Sequence, residues 1–324
     1  MAPFLWDGCM KICTVCPYFG QWPPLFNLYL ESCKHNPSLD VLLVTDIEPP
    51  SNVPDNVRFV RIGLAELRER FSRSLGFEVA IPAPYKLCDF KPAYGLLFDD
   101  YLAGYDFWGH GDIDLVYSDL SPILDPSFLS RFDVVSCHKN WIWGPFCLYR
   151  NTADVNLLFQ EAREYEEVFR SRRHCCFDES SFRWDELKLS SVFDVNFPYD
   201  NMTVVVKRAD REGRIRAYFE THEADWIDKG NHVLYDEGKI TYRGKELLFL
   251  HWGSYGFRRG FGLLPNWDPC PKQFYVTRHR LCTQSQFESP FFQLMESMLH
   301  VWNGVRWLIR LCRRITRRFR SRFT

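Results

Sequence analysis

Apolar runs broken by turn residues set the pattern of the first hundred positions. Met10–Cys16 (MKICTVC) reads as a buried strand, ended by Pro17-Tyr18-Phe19-Gly20 and the Pro23-Pro24 turn. Leu25–Lys34 has helical spacing, with Leu25, Leu28, Tyr29 and Cys33 on one face, and Asn36-Pro37-Ser38 stops it. Leu39–Thr45 (LDVLLVT) is a second apolar strand, ending at Asp46, and Val57–Ile62 is a third. Leu64–Phe71 returns to helical spacing with its charges outward. This order predicts an α/β domain built on a mixed, mostly parallel sheet flanked by helices. Sheets of that kind bind ligands at the carboxyl ends of their strands. Gly20, Asp46 and an Asp112/Asp114 pair each fall just after a predicted strand end.

Pro84–Tyr94 is polar, with Lys86, Asp89 and Lys91 at i, i+3 and i+5, and precedes a helix running through Leu96 to Tyr101. Its lysines suit a phosphate or, equally, a surface ion-pair network. Phe132–Ser136 and Trp141–Tyr149 read as strands, with Gly144 in the second allowing a ligand to approach the backbone. Thr152–Phe169 predicts one amphipathic helix with Val155, Leu158, Phe159, Ala162 and Tyr165 inward. Val204–Lys207, Ile215–Phe219 and Val233–Tyr242 look like pieces of a smaller β-rich region, and Glu246–Trp252 like one late strand ending at His251. From about Pro290 the spacing turns helical again. The expected division is an α/β domain over 1–285 and a basic amphipathic C-terminal helix or tail over 286–324.

The central chemistry lies in Tyr105–Leu120 (YDFWGHGDIDLVYSDL). If this stretch is extended, Asp112 and Asp114 point one way and Ile113 the other. Two hard carboxylates on one face can hold Mn²⁺ or Mg²⁺, which would neutralise a diphosphate. The alternative is a turn whose Asp side chains cap themselves. Asp178 and Glu179 follow a basic knot, Arg170–His174; they suit either a helix start, as dipole complements, or the positioning of an acceptor hydroxyl with one of them as base. His251 is a candidate third metal ligand.

Composition narrows the classes. With 46% hydrophobic residues in 324, a sizeable core forms and wholesale disorder is excluded. The net charge of −1 hides eight arginines and no acids from Val301 onward, leaving −9 elsewhere. That is not the footprint of a nucleic-acid-binding domain. The basic tail instead suits an anionic membrane surface, with partner docking or a disordered basic arm as alternatives. Twelve scattered cysteines, no signal-like start and no membrane-length apolar run predict a cytoplasmic protein with free thiols, peripheral on the inner face of the membrane if the tail binds it. Cys13-x-x-Cys16 has no second pair to complete a zinc site.

Four motifs in order carry a family resemblance: PYFG at Pro17–Gly20, YKLCDFKPAYG at Tyr85–Gly95, YDFWGHGDIDLVYSDL at Tyr105–Leu120 and LHWG at Leu250–Gly253. With these, the chain resembles bacterial glycosyltransferase-like proteins of the GT-A superfamily, in a branch associated with polysaccharide biosynthesis. The resemblance covers roughly residues 10–260. It implies a GT-A-like fold and transfer of a sugar from a nucleotide-diphosphate donor to a glycan or lipid-linked acceptor. It implies nucleotide binding by Pro17, Tyr18, Phe19 and Gly20, with Asp46 near the base or ribose and Lys86 and Asp89 beside the donor. Asp112 and Asp114 match the metal-binding Asp-x-Asp motif, and His251 a late metal-ligating histidine. After His251 the sequence reads Trp-Gly-Ser-Tyr-Gly, without the lysine of better-known retaining families; Arg258 or Arg259 would replace it at the diphosphate. Two other readings stand beside this one: a catalytically silent membrane-associated scaffold, and a metal-dependent phosphodiester hydrolase using Asp112, Asp114, His110 and His251.

Overall fold

The structure, a computed structural model, describes residues 10–224, 227–228, 230–255, 267, 269–278, 280–290, 294 and 298. The basic tail from Val301 lies outside the described residues, as do Arg258 and Arg259.

Seven strands form the main sheet: β1 Ile12–Pro17, β2 Leu39–Thr45, β3 Val57–Arg61, β4 Phe107–Gly111, β6 Val134–Ser136, β7 Phe146–Arg150 and β8 Ala217–Phe219. Their order is β3-β2-β1-β4-β7-β6-β8. β3, β2, β1 and β4 run parallel, as do β6 and β8, and β7 is antiparallel to both its neighbours. This is the mixed, mostly parallel sheet that the alternation predicts. Its inner strands are apolar on both faces because both faces are covered. Cys13, Val15, Leu42 and Val44 enter one core cluster, while Ile12, Cys16, Leu39, Val41 and Leu43 enter the other. The period-2 alternation therefore puts Cys13 and Cys16 on opposite faces, where they cannot chelate one ion. Burial pushes both thiols up to about 12, so neither is a ready thiolate.

Five antiparallel strands make the smaller region: β9 Val233–Asp236, β10 Lys239–Tyr242, β11 Lys245–Leu247, β13 Gln273–Val276 and β14 Leu281–Cys282. Between the sheets, β5 Leu115–Tyr117 pairs antiparallel with β12 Phe249–His251.

Four expectations change; the first is that Ile215–Phe219 supplies β8 to the main sheet beside β6 and not to the smaller region. Val204–Lys207 is not a strand but part of a helix, Met202–Arg211; Asn201 caps it through Val204 N at 3.2 Å, and Val205, Val206 and Ala209 bury against the core. Tertiary burial overrides the β preference of three consecutive valines. The predicted helix 152–169 is broken into Ala153–Asn156, a 3₁₀ turn Leu158–Glu161 and Tyr165–Arg170. Glu246–Trp252 divides at Leu248 between β11 and β12, which belong to different sheets.

Candidate functional site

The chain passes from β1 outward to β2 and β3, then returns to the other side of β1 as β4. The crevice outside the carboxyl ends of β1 and β4 is thus a topological switch point, where open α/β sheets bind ligands. A cleft of about 810 Å³ lies there. β4 ends at Gly111, and the Asp112 amide donates to Pro145 O at 2.9 Å. Ile113 turns into the core at 4% exposure, whereas Asp112 and Asp114 both line the cleft. The segment is not extended: residues 112–114 form a turn in which Leu115 N donates to Asp112 O at 3.4 Å, and it is this turn, not strand alternation, that brings both carboxylates to the cleft.

His251 reaches this pair through the β5–β12 ladder. His251 is registered with Leu115, and Trp252 N donates to Asp114 O at 3.2 Å. The His251 Nε2 stands 3.4 Å from Asp114 Oδ1. Burial pulls the imidazole pKa down, but the Asp114 carboxylate outweighs it and holds it above the ordinary value. A Cβ on Gly253 would overlap Asp114 Oδ2 and lie 3.4 Å from His251 Nε2, so only glycine leaves room for this pairing.

The Pro84–Ala93 segment is a 3₁₀ helix, and its three-residue turn decides which lysine is functional. Tyr85, Cys88, Lys91 and Tyr94 share one face and all line the cleft. Lys86 and Asp89 share another and do not. Lys86 Nζ donates to Asp89 Oδ2 at 2.7 Å, to Val168 O at 2.8 Å and to Arg173 O at 2.9 Å, with side chains 2% and 0% exposed. Asp89 also accepts from Cys175 N (2.9 Å) and Phe177 N (2.9 Å), and His174 Nδ1 is 3.3 Å away. Burial raises the Asp89 pKa, but the His174 contact and the Lys86 charge overcome it and hold it below the usual range. Lys86 and Asp89 are therefore corrected from donor-binding residues to a buried clamp on the 173–177 segment. Of the two lysines of this stretch, Lys91 is the one that lines the cleft. Its Nζ donates to Asp112 Oδ1 (2.7 Å) and Gly144 O (2.8 Å) and lies 3.9 Å from Asp178 Oδ2. Burial disfavours this ammonium, yet Asp112 and its acidic neighbours hold its pKa well above the ordinary value.

Asp178 and Glu179 both line the cleft, with different environments. Glu179 is fully engaged: Oε1 accepts from Gly144 N at 2.8 Å, and Oε2 from Trp184 Nε1 at 3.1 Å and Cys176 Sγ at 3.5 Å. Asp178 is 3% exposed, and among the described residues its Oδ1 has no hydrogen-bond partner. Burial pushes its pKa well up; Lys91 opposes this, and the Glu179 charge adds to it. The two acids differ: Glu179 is hydrogen-bonded through both oxygens, and Asp178 is buried with one oxygen unpartnered among the described residues.

Pro17, Tyr18 and Phe19 line the cleft, and Tyr18 N extends the β1–β2 pairing by donating to Val44 O at 2.9 Å. Tyr18 stacks on Trp22 at 5.9 Å and 12°, and Trp22 on Phe26 at 4.0 Å and 3°. Gly20 and Asp46 hold this loop instead of lining it. Gly20 has φ of 109°, and its amide donates to Asp46 Oδ1 at 3.2 Å. His110 is fully buried inside β4 and does not line the cleft; burial and the Lys91 charge keep it neutral. It does not join Asp112, Asp114 and His251.

Two carboxylates are hard donors that suit Mn²⁺ or Mg²⁺, and the imidazole is a borderline donor that favours Mn²⁺ of the two. Among the described residues no three such side chains already stand together as a cage. Asp114 and His251 are paired, while Lys91 holds one oxygen of Asp112. A carboxylate keeps further acceptor capacity when one oxygen is bonded, so the donor set fits the ion. No helix of the described residues is long and apolar enough to cross a membrane.

No curated protein matches the chain. Among solved structures, it is similar to the galactosyltransferase LgtC in complex with donor and acceptor sugar analogs, at TM-score 0.33 and 12% identity over 66% of this chain and 74% of that one. It is similar to the glycosyltransferase GlyE of Streptococcus pneumoniae TIGR4 at 0.31 and 11%, over 65% and 45%. It is similar to mouse xyloside xylosyltransferase 1, apo form, at 0.35 and 8%, over 67% and 86%. Likenesses this weak carry no weight for activity, and the site stands on its own geometry. A family model described as a family of unknown function, DUF6625, matches residues 14–284, and the chain belongs to that family.

Proposed function

We propose that this protein is a metal-dependent glycosyltransferase with a GT-A-like site, moving a sugar from a nucleoside-diphosphate sugar to a hydroxyl of a glycan or lipid-linked acceptor. One observation carries the reading. A single cleft at the sheet's switch point holds Asp112, Asp114 and His251 on one side and the buried acid Asp178 on the other, with Lys91 between them. Asp112, Asp114 and His251 would hold the ion. Bound there, Mn²⁺ or Mg²⁺ supplies Lewis-acid stabilisation of the leaving diphosphate.

The chain's own groups do the remaining work. Lys91, a buried cation fixed by Asp112 and Gly144, stabilises negative charge in a water-poor site. The Tyr18–Trp22 stack offers a flat face to the nucleobase. Arg258 and Arg259, outside the described residues, remain candidates for the diphosphate. Asp178 takes the proton of the acceptor hydroxyl in an inverting reaction: it lines the cleft, one of its oxygens has no partner among the described residues, and burial makes its carboxylate more basic than an ordinary one. Glu179, held at three points, orients the Gly144 turn and Trp184.

Release of nucleoside diphosphate from UDP-, GDP- and dTDP-sugars, with CMP release from CMP-sugars as the monophosphate comparison, in the presence of Mn²⁺ tests this reading. The wild type hydrolyses one of these donors slowly, and the folded Asp112→Ala/Asp114→Ala double variant does not. Full activity in that variant would sink the metal assignment.

A further inference from the structure

Four aromatic rings run along the Asp178 side of the cleft and are not used by the chemistry above. Tyr85 meets His174 edge-on at 4.6 Å and 69°, His174 meets Phe182 at 5.4 Å and 89°, and Phe182 meets Trp184 at 5.6 Å and 83°. Tyr85, His174 and Trp184 line the cleft. Tyr85 is 64% exposed and Phe182 50%.

The backbone beneath the rim is strained. Cys176, Ser181 and Phe182 have φ of 55°, 51° and 63°, left-handed values that non-glycine residues rarely adopt. Phe182 is disfavoured twice, by its backbone and by the apolar ring it shows to water. Such costs persist at ligand-binding segments. The Asp89 bonds to Cys175 N and Phe177 N and the Trp184–Glu179 bond hold the segment in this form. A second, independent observation points to a ligand: the buried Asp178 Oδ1 has no partner among the described residues and its side chain lines the same cleft.

Aromatic faces beside one buried, unpartnered carboxyl oxygen match a pyranose, which offers an apolar C–H face and hydroxyl edges. Resting on the transferase reading, we propose that Tyr85, Phe182 and Trp184 form the acceptor subsite. It takes the terminal pyranose of a glycan, with the sugar face on the rings and the accepting hydroxyl directed at Asp178.

Saturation-transfer NMR on the full chain, with methyl glycosides of glucose, galactose, mannose and N-acetylglucosamine as probes, tests this directly. The wild type binds at least one of them. Tyr85→Ala and Phe182→Gly each weaken that binding by about tenfold, the effect of losing one aromatic face. Phe182→Gly also raises Tm, since glycine adopts this φ without strain, so lost binding there is not lost folding. Equal binding by the variants, or no binding of any probe by the wild type, overturns the subsite. Thermal stabilisation by nucleotide sugars is read in parallel. A wild type stabilised by a donor but blind to all four glycosides refutes the subsite alone. Rim-dependent glycoside binding without any donor response refutes the transferase reading alone.

Discussion

Replacing Asp89 with asparagine breaks the most heavily bonded side chain near the site. The carboxylate receives Lys86 Nζ, Cys175 N and Phe177 N within 2.7–2.9 Å and is fully buried. Asparagine keeps one acceptor oxygen and turns a donor NH₂ toward a group that is itself a donor. One buried N–H is left unsatisfied, costing about 1–3 kcal/mol. Lys86 loses its counter-charge, and breaking one side of a buried ion pair costs about 3–5 kcal/mol. These terms overlap because they share one carboxylate, so the expected loss is about 4 kcal/mol in all. That is a large part of the roughly 5–15 kcal/mol that holds a typical domain folded. Urea unfolding followed by fluorescence should show a lower midpoint at unchanged slope. Lys86→Met is the milder change, because Asp89 retains both backbone donors and His174. A loss below about 1 kcal/mol for Asp89→Asn, or a larger loss for Lys86→Met, would refute the clamp.

Further outcomes follow from the same geometry. Gly253→Ala places a Cβ against Asp114 Oδ2; the variant should fold but lose Mn²⁺-dependent stabilisation by donor in a thermal-shift assay, and normal stabilisation would contradict the pairing of Asp114 with His251. Asp178→Asn should abolish transfer while flattening stability at rising pH. The folded state holds the Asp178 proton above the usual carboxylate range, so wild-type stability falls as pH climbs from that range through the raised pKa. Identical stability–pH curves for wild type and variant would disprove the raised pKa. Removing residues 301–324 takes away eight arginines, and flotation with anionic liposomes should drop; equal flotation rejects a membrane role for the tail.

Sequence pattern was most informative where burial is simplest. Leu39–Thr45 is recovered residue for residue as β2, because a doubly covered parallel strand is one uninterrupted apolar run. That Asp112 and Asp114 reach one cleft was legible, but they do so from a turn closed by Leu115 N on Asp112 O, not from an extended strand. The different placements of Lys86 and Lys91 have a geometric cause. Both lie within eleven polar-looking residues, and only the 3₁₀ period reveals that 86 and 89 turn inward while 85, 88, 91 and 94 face the cleft. Asp178 and Glu179 were chosen together, yet nothing in two adjacent acids tells which is bonded by Gly144 and Trp184, partners 35 and 5 residues from Glu179. The approach of His251 to Asp114 depends on a ladder between β5 and β12, more than a hundred positions apart, and no local pattern encodes that pairing.

The most direct test of the central claim is calorimetric titration of nucleotide sugars into the wild-type protein with Mn²⁺, with EDTA, and into Asp112→Ala/Asp114→Ala. The account predicts saturable binding of one donor that requires both the metal and the two aspartates. Equal donor binding in EDTA, or in the double variant, would contradict it, as would the absence of binding by any UDP-, GDP-, CMP- or dTDP-sugar.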